Sequence, residues 1–214
     1  MEIGYSKYIN APSIGRIGMA FYEAENKPAL LQTYFDQSKS NIDDLRNRCL
    51  PYASPIDIMR CAIDEIWPAG AMLESLYGKK MYIGLSRIVE PNVNFLAHHD
   101  IFQKDAPDSF SAKSLLAQFA ANVYLTLPEK GGDIQIWKHE MSADEFDQMR
   151  GDSYGIDPKI LGNPDFELRP ERGDLILFNS RKMHAVTPGF DRSRLSVSCF
   201  IGYRGMNMPL TYWS

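Results

Sequence analysis

The feature that most constrains the fold is a pair of apolar segments near the end of the sequence, joined by a turn at Pro188. The first segment is Leu175–Phe178. The second starts at Arg194, and its apolar residues alternate with Arg194, Ser196 and Ser198. Alternation with a period of two is typical of a β-strand that packs one face and leaves the other polar. We therefore predict two strands, the second of which presents a guanidinium and two hydroxyl groups on one face.

Helical patterns occupy the first third of the sequence. Apolar residues recur at helical spacing from Pro28 to about Leu50, which predicts one or two helices. Ser54 before Pro55 is a typical helix start, because serine caps the first turn and proline suits the first helical position. A stripe of four apolar residues then predicts a face packed on the core: Ile56, Met59, Ile63 and Ile66. A further helix is expected over Ala71–Tyr77.

Short strand patterns dominate after residue 80. Besides the two strands above, the predicted strands are Met81–Val89, a segment carrying His98 and Asp100, Phe119–Leu127, Asp133–Trp137 and Phe166–Arg169. Several antiparallel strands after a helical N-terminal third are typical of a double-sheet jelly roll. We predict a mainly β fold with N-terminal helices, a double-stranded β-helix of the cupin-like kind.

The domain organisation follows from the absence of any repeat or linker in the sequence. We expect a single domain over residues 1–214, which is long enough for one well-buried core. Residues 1–80 would form a mostly helical buttress, and residues 81–214 would form the jelly-roll core. A polar segment over Lys104–Ser114 is expected to be a loop at the mouth of the site, and Ser142 is expected to start a short helix that ends at Met149.

Charge and composition exclude several function classes. The net charge is −4 and the pI is about 5.6, which argues against a general binder of nucleic acid or of membrane surfaces. No apolar run is long enough to cross a membrane, and the N-terminal residues lack the pattern of a leader. The three cysteines are unevenly spaced, which suits reduced thiols. We expect a cytoplasmic protein.

His98, Asp100 and His184 are the candidate metal ligands. A histidine and a carboxylate two residues apart on a strand point to the same side, and a distant histidine supplies the third ligand. Two histidines and one carboxylate on one face of a metal, with three positions open, are typical of non-haem Fe(II) oxygenases. His99 is expected to be a neighbouring or surface residue, since adjacent strand residues point oppositely. His139 has no partner pattern and is expected at the surface.

The polar face of the last strands indicates an anionic ligand. Arg194 with Ser196 beside it, ten residues after His184, suits a dicarboxylate that also reaches a metal held by that histidine. The alternative for Arg194 is a solvated ion pair at a strand start. Asn122 and Tyr124 share a face of another strand and are weaker candidates for the same ligand.

Four segments carry a resemblance to a known family: YLTLPEKGGDIQIW, ERGDLILFNSRKMHAV, SRLSVSCFIGYRG and MPLTYWS. Over Met81 to Ser214 the sequence resembles the 2-oxoglutarate- and Fe(II)-dependent oxygenases, and is similar to the bacterial group of the free-lysine radical halogenase and its amino-acid hydroxylase relatives. The resemblance implies a jelly roll, Fe(II), and 2-oxoglutarate and O2 as co-substrates. It also implies that Arg194 holds the distal carboxylate of 2-oxoglutarate, assisted by Ser196.

The resemblance further implies the type of reaction. Oxidation of a small molecule, such as a free amino acid or a close derivative, would accompany the conversion of 2-oxoglutarate to succinate and CO2. In the halogenases of this group the position of Asp100 holds a small residue that leaves room for chloride. We therefore expect hydroxylation, or another oxidation such as desaturation or ring closure, and no halogenation.

The substrate residues are the least constrained by the sequence. Arg87, on a strand before the metal motif, is a candidate partner for a substrate carboxylate, and Trp213 is a candidate cover for the pocket. Glu90 and Asp105 are possible partners for an amine, although solvated loop charges would look the same. Three rival functions remain open: a peptidyl-residue hydroxylase, a cupin-like binding module without turnover, and a zinc hydrolase. The oligomeric state is open too.

Overall fold

The computed structural model describes residues 5–8, 11 and 13–214. Its α-helices are α1 (Pro28–Cys49), α2 (Pro55–Ile66), α3 (Phe102–Asp105), α4 (Phe110–Lys113) and α5 (Ala143–Arg150), with 3₁₀ turns at Phe21–Ala24 and Pro158–Leu161. Its strands are β1 (Tyr5–Lys7), β2 (Ile14–Ile17), β3 (Ala71–Leu73), β4 (Ser75–Leu76), β5 (Lys79–Lys80), β6 (Leu85–Val89), β7 (Phe95–His98), β8 (Ala117–Thr126), β9 (Ile134–Ile136), β10 (Phe166–Leu168), β11 (Leu175–Asn179), β12 (His184–Val186), β13 (Arg194–Tyr203) and β14 (Leu210–Trp213).

Two sheets organise these strands. The major sheet is centred on β13, which pairs with β8 along one edge and with β6 and β14 along the other; β11 extends it beyond β8, and β2 with β1 beyond β6. The minor sheet has the order β10-β9-β12-β7. Residues of both sheets line a common cavity, so the sheets face each other as in a jelly roll. The predicted mainly β fold with N-terminal helices is confirmed.

The central position of β13 explains its burial. Its apolar residues pack in the core, including Val197, Cys199 and Ile201. Its polar residues are buried as well: Arg194 is 7% exposed and Ser196 is 5% exposed. Burying polar groups without hydrogen-bond partners is unfavourable, so we expect this face of β13 to bind a polar ligand.

The helix α2 packs against the apolar face of β13 in the major sheet. The Ser54 side chain accepts a hydrogen bond from the Asp57 N–H at 3.1 Å and caps α2, as its sequence predicts. Ile56 and Met59 are buried, so the first half of the predicted apolar stripe is confirmed. Ile66, however, is 77% exposed. Ile63 is partly buried against the same core cluster, so only Ile66, at the end of the helix, departs from the predicted stripe.

The N-terminal region also supplies strands. β1 and β2 extend the major sheet along β6. The helix predicted over Ala71–Tyr77 is wrong, because this segment forms β3 and β4 and β3 pairs in parallel with β14. A partner strand 139 residues away along the chain, from Ala71 to Leu210, overrides the local helical preference.

Smaller differences concern boundaries. The strand predicted from Met81 begins at Leu85, and the segment predicted as a loop at Lys104–Ser114 contains most of α3 and α4 as short helical turns. The helix after Ser142 is confirmed as α5, capped by the Ser142 hydroxyl. Within the residues described, no helix combines the length and apolarity needed to cross a membrane. Residues 1–4, 9, 10 and 12, which belong to the segment examined for a leader, lie outside the described part.

One buried tyrosine ties α1 to the sheet. The Tyr34 hydroxyl donates to the Ser214 carbonyl at 2.8 Å and accepts from the Tyr82 N–H at 3.1 Å. Its side chain is 1% exposed. The end of the described chain is therefore anchored beneath the first long helix.

The substitution Tyr34→Phe should destabilise the fold by about 1–3 kcal/mol, because it leaves the buried Tyr82 N–H without an acceptor. Urea denaturation followed by circular dichroism measures this free energy of unfolding. Tyr52→Phe is the matched control, since Tyr52 is 79% exposed and should change little. Equal unfolding midpoints for the two variants would contradict the proposed anchoring by Tyr34.

Candidate active site

Two histidines face each other across the minor sheet. The antiparallel pairing of β7 with β12 sets His98 opposite His184, and their ring centroids are 4.3 Å apart. Asp100 follows two residues later, and its N–H donates to the Ser180 carbonyl at 2.8 Å. One ligand atom from each of His98, Asp100 and His184 lies within 4.8 Å of the other two. Among the described residues no other group of His, Cys, Asp and Glu has this potential to hold a metal ion.

Backbone carbonyls orient both imidazole rings. The Leu96 carbonyl lies 2.8 Å from Nδ1 of His98, and the Lys182 carbonyl lies 2.9 Å from Nδ1 of His184. Because a carbonyl only accepts hydrogen bonds, each Nδ1 carries a proton, and each Nε2 keeps its lone pair in the neutral ring. Metal-binding histidines usually have their second nitrogen held in this way.

The contact between His184 and Asp100 fits a bound cation. Nε2 of His184 and Oδ2 of Asp100 are 3.4 Å apart. A neutral ring held by its Nδ1 directs a lone pair at the carboxylate, which is unfavourable unless a proton or a metal ion lies between them. Two imidazole nitrogens and a carboxylate oxygen are the donors that non-haem Fe(II) takes in oxygenases. The residues present therefore fit this metal.

Burial and neighbouring charges shift the pKa values of Asp100 and His98. Burial by itself would raise the pKa of Asp100, but the interactions with His184 and His98 outweigh it, and the pKa lies below its usual range. Burial, followed by repulsion from His184, lowers the pKa of His98 to about 3. At neutral pH these groups are a carboxylate and a neutral imidazole, which are the forms that bind metal ions.

The other two histidines lie outside the triad. His99 is 7% exposed, and its ring centroid is 4.4 Å from that of Phe146. The surface position that was one expectation for His99 is therefore wrong. Burial lowers the pKa of His99 to about 4, so its ring is neutral. His139 is exposed, as predicted.

A small cavity of about 40 Å³ between the two sheets, which we name the inner pocket, adjoins the triad. Besides the triad its lining includes Asn122, Tyr124, Arg194 and Ser196. The register of the major sheet explains this arrangement, because Ser196 lies opposite Tyr124 in the pairing of β13 with β8. The structure thus brings all four predicted co-substrate residues together beside the predicted metal ligands.

Arg194 is the most unusual group in the inner pocket. Its Nε and Nη1 are buried and make no hydrogen bond to any described residue, and its guanidinium lies 5.8 Å from the Phe95 ring centroid. Burial lowers its pKa, although an arginine remains charged in proteins. A buried charge without a partner is unfavourable, and a carboxylate in the pocket would satisfy it through two hydrogen bonds. The solvated ion pair considered for Arg194 is excluded by its burial.

A second cavity, of about 490 Å³, also adjoins the triad and is named the large cavity. His98, Asp100, Arg87 and Phe95 line both cavities, so the two meet at the candidate metal ligands. The 3.2 Å bond from Arg87 Nε to the Tyr8 hydroxyl holds the arginine at this junction. Burial would lower the pKa of Arg87, but Tyr8 and other neighbours raise it above its usual value. Arg87 therefore offers a permanent positive charge to a ligand.

Trp213 does not reach either cavity. It is 1% exposed, and its ring stacks on Phe102 with centroids 4.3 Å apart. Neither the inner pocket nor the large cavity has Trp213 in its lining. Its burial in the apolar core explains why it does not serve as a cover.

The structure separates the two acids nominated for an amine. The Glu90 carboxylate accepts a hydrogen bond from the Ser193 hydroxyl at 2.8 Å and is absent from both cavities. Asp105, at the end of α3, lines the large cavity. The two had looked alike in the sequence, because each follows an apolar segment on a polar loop.

Several cavity residues were missed by sequence reasoning. Phe146 and Arg150 lie one helical turn apart on α5, and both line the large cavity. The sequence predicted the helix α5, but no sequence pattern indicated that its face with Phe146 and Arg150 lines a cavity. The Tyr154 hydroxyl accepts from the Leu96 N–H at 2.8 Å and so supports β7 beside His98. No signal in the sequence singles out Tyr154.

Comparison with known proteins gives one sequence relative of defined activity. L-gamma-glutamyl-L-propargylglycine hydroxylase of Streptantibioticus cattleyicolor is 27% identical over 162 residues. The match covers 75% of this chain and 59% of the relative, so the chain spans about three fifths of the relative's length.

Two solved structures share the fold. They are of an N-substituted L-amino acid dioxygenase from Burkholderia ambifaria, the second in complex with alpha-KG. Their TM-scores are 0.67 and 0.65 at 17% and 16% identity, and each match covers 92% of this chain and 77% of the other. At this identity the likeness supports the fold, the double-stranded β-helix predicted from the sequence.

The family is defined by a match to the sequence pattern of a protein superfamily. The pattern of the 2OG-Fe(II) oxygenase superfamily covers residues 83–202, from the start of β6 to the end of β13 within two residues. This range contains the three candidate metal ligands, Arg194 and Ser196. Because it makes up more than half of the chain, the protein belongs to the 2OG-Fe(II) oxygenase superfamily, whose cofactor and co-substrate are Fe(II) and 2-oxoglutarate.

Proposed function

We propose that this protein is a 2-oxoglutarate-dependent dioxygenase that hydroxylates a small molecule, a free amino acid or a close derivative. The observation that carries the proposal is that two cavities meet at His98 and Asp100, and that His184 completes the triad from the inner pocket. One cavity ends at an unpaired arginine and suits the co-substrate. The other is open and suits the molecule to be oxidised.

Each residue of the junction has a proposed role. Nε2 of His98, a carboxylate oxygen of Asp100 and Nε2 of His184 would hold Fe(II) on one face and leave its other positions accessible. Arg194 would bind the distal carboxylate of 2-oxoglutarate through its fork of N–H donors, and the Ser196 hydroxyl would add a hydrogen bond. Asn122 and Tyr124 would contact the same co-substrate from β8.

The chemistry supplied by Fe(II) with 2-oxoglutarate and O2 is an oxidation of the substrate coupled to release of succinate and CO2. The protein's own part is to bind, to orient and to limit access of water. The buried walls of the inner pocket would hold the distal carboxylate of 2-oxoglutarate in contact with Arg194. Arg87, fixed at the junction by Tyr8, would pair with an anionic group of the substrate and hold the carbon to be oxidised close to the metal.

The size of the large cavity supports a small substrate. Its volume of about 490 Å³ lies within the range of small-molecule sites, about 300–1,000 Å³. The names of the relative from Streptantibioticus cattleyicolor and of the Burkholderia ambifaria dioxygenase both refer to amino-acid chemistry. An amino-acid substrate is therefore favoured over a peptidyl residue. A single domain and a cytoplasmic location are part of the same proposal.

The metal site is tested by anaerobic titration of the apoprotein with Fe(II) and then 2-oxoglutarate. We expect a visible charge-transfer band that requires both additions. His184→Ala should abolish the band because it removes a ligand, whereas His139→Ala removes an exposed histidine and should retain it. Absence of the band from the wild-type protein, or its persistence in His184→Ala, would show that the metal site is misassigned. A band without succinate release under O2, with any amino acid or peptide, would favour a binding module.

The co-substrate site is tested by the same titration with Arg194→Gln. The apparent Kd for 2-oxoglutarate should rise by about 10- to 100-fold, since a hydrogen-bonded charge pair is worth about 1.5–3 kcal/mol. Arg192→Gln removes an exposed arginine two residues away and should leave the Kd unchanged. Equal affinities in the two variants would exclude Arg194 as the carboxylate partner.

The carboxylate at residue 100 predicts the reaction outcome. Because Asp100 would occupy one metal position, chloride has no vacated ligand site there, and oxidation without halogenation should be the outcome. Mass spectrometry of reactions containing chloride, with whichever amino acid stimulates succinate release, should show hydroxylated, desaturated or cyclised product and no chlorinated product. Chlorination by the unmodified protein would refute this assignment.

A further inference from the structure

Asp105 differs from the other acids that line the large cavity. Asp100 contacts His184 at 3.4 Å, and Glu25 forms an ion pair with Lys27. The Asp105 carboxylate forms no hydrogen bond or ion pair with any residue in the described part of the chain. A carboxylate that faces a cavity without a partner is a group left free for a ligand.

The basic residues nearest Asp105 are engaged elsewhere. Lys104 Nζ bonds to Asp147 Oδ1 at 2.7 Å, and Arg150 Nε bonds to the same oxygen at 2.7 Å. Both cations also lie over the Phe146 ring, at 5.3 Å and 5.7 Å from its centroid. Asp147 thus holds the two cationic groups on α3 and α5 by direct hydrogen bonds, and neither of them forms an ion pair with Asp105.

The environment of Asp105 disfavours the ionised form of its carboxyl group. Burial, followed by repulsion from Asp100, raises the pKa of Asp105 to about 8. A cationic group of a ligand would offset the cost of burial, because it would pair with the ionised carboxylate. No described side chain forms an ion pair with Asp105.

His99 is an independent indication in the same cavity. It is 7% exposed, and neither Nδ1 nor Nε2 has a hydrogen-bond partner among the residues described. Its ring is held against Phe146, with centroids 4.4 Å apart. Buried polar atoms are nearly always paired in proteins, so a lining imidazole with two orphaned nitrogens indicates a ligand that bonds to it.

We propose that Asp105 and His99 form an ammonium subsite, so that the substrate of this enzyme carries a protonated amine. A protonated amine brings several N–H donors: Asp105 accepts from it as a charged partner, and His99 accepts a second N–H through a ring nitrogen that has no partner in the described chain. Arg87, at the junction with the inner pocket, is available for an anionic group of the same molecule. The inference rests on the proposed function and narrows its substrate class to amino acids with a free or alkylated amine, as opposed to N-acylated ones.

The test is binding of matched ligand pairs to the protein loaded with Fe(II) and 2-oxoglutarate without O2. The probes are the common L-amino acids, their N-methyl forms and γ-glutamyl dipeptides, each compared with its N-acetyl counterpart by isothermal titration calorimetry. At least one amine should bind about tenfold or more tightly than its N-acetyl form. Asp105→Asn should weaken binding of that amine by about 10- to 100-fold and leave the N-acetyl form unchanged.

Two further variants sharpen the test. Asp108→Asn removes an exposed carboxylate three residues away and should leave both affinities unchanged. His99→Leu should weaken the amine by about tenfold, because it removes one neutral acceptor and keeps the contact with Phe146. The charge-transfer band, measured on the same samples, shows that each variant is folded.

The outcomes separate this inference from the proposed function. If the band forms but Asp105→Asn and Asp108→Asn retain the same preference for amines, the ammonium subsite is wrong and the dioxygenase assignment stands. If no amine binds better than its N-acetyl form, the inference is overturned as well. If the band is absent while amine binding depends on Asp105, the subsite stands and the proposed function fails.

Discussion

The pairing of His98 with His184 across β7 and β12 is the constraint on which the site depends. Side chains alternate between the two faces of a strand, so a shift of the register by one residue would turn one ring away from the other. The backbone carbonyls two residues before each histidine then fix the ring orientation. Asp100 joins the pair because it follows the end of β7 and is held by Ser180. Three ligands are thereby placed by backbone hydrogen bonds, before any metal ion binds.

The site also contains charged side chains that are buried without a full set of hydrogen-bond or ion-pair partners. Arg194 in the inner pocket and Asp105 in the large cavity are of opposite sign and lie in different cavities that meet at the triad. In a medium of low dielectric constant such groups bind complementary charges strongly, and they reject ligands of the wrong sign. Burying these two side chains lowers the stability of the fold, since a charged group is better solvated in water. On the proposals made above, this arrangement would bind an anionic co-substrate and a cationic substrate group in two cavities that meet at the candidate metal ligands.

Local sequence patterns predicted the parts of the structure that depend on near neighbours. The alternation along β13, the Ser54 cap of α2 and the Ser142 cap of α5 were all readable, because each reflects contacts within a few residues. Predictions failed where distant pairing decided the outcome. Ala71–Leu73 became a strand because β14 pairs with it, and Trp213 lies in the core because Phe102 stacks on it. Neither partner is visible from the local sequence.

The candidate site, like the fold, combines features that the sequence predicts with features that depend on distant contacts. The sequence by itself determined the ligand types, their order along the chain and the polar face of β13, since residue identity and a period of two carry that information. It also sufficed for the family. Only the tertiary structure decided which polar groups remain unpaired: Glu90 has a partner in Ser193, whereas Asp105 and His99 have none in the described chain. That difference arises from α3 and α5 packing beside β7, which brings Asp147 to Lys104 and Arg150 and leaves Asp105 without a hydrogen-bonded partner.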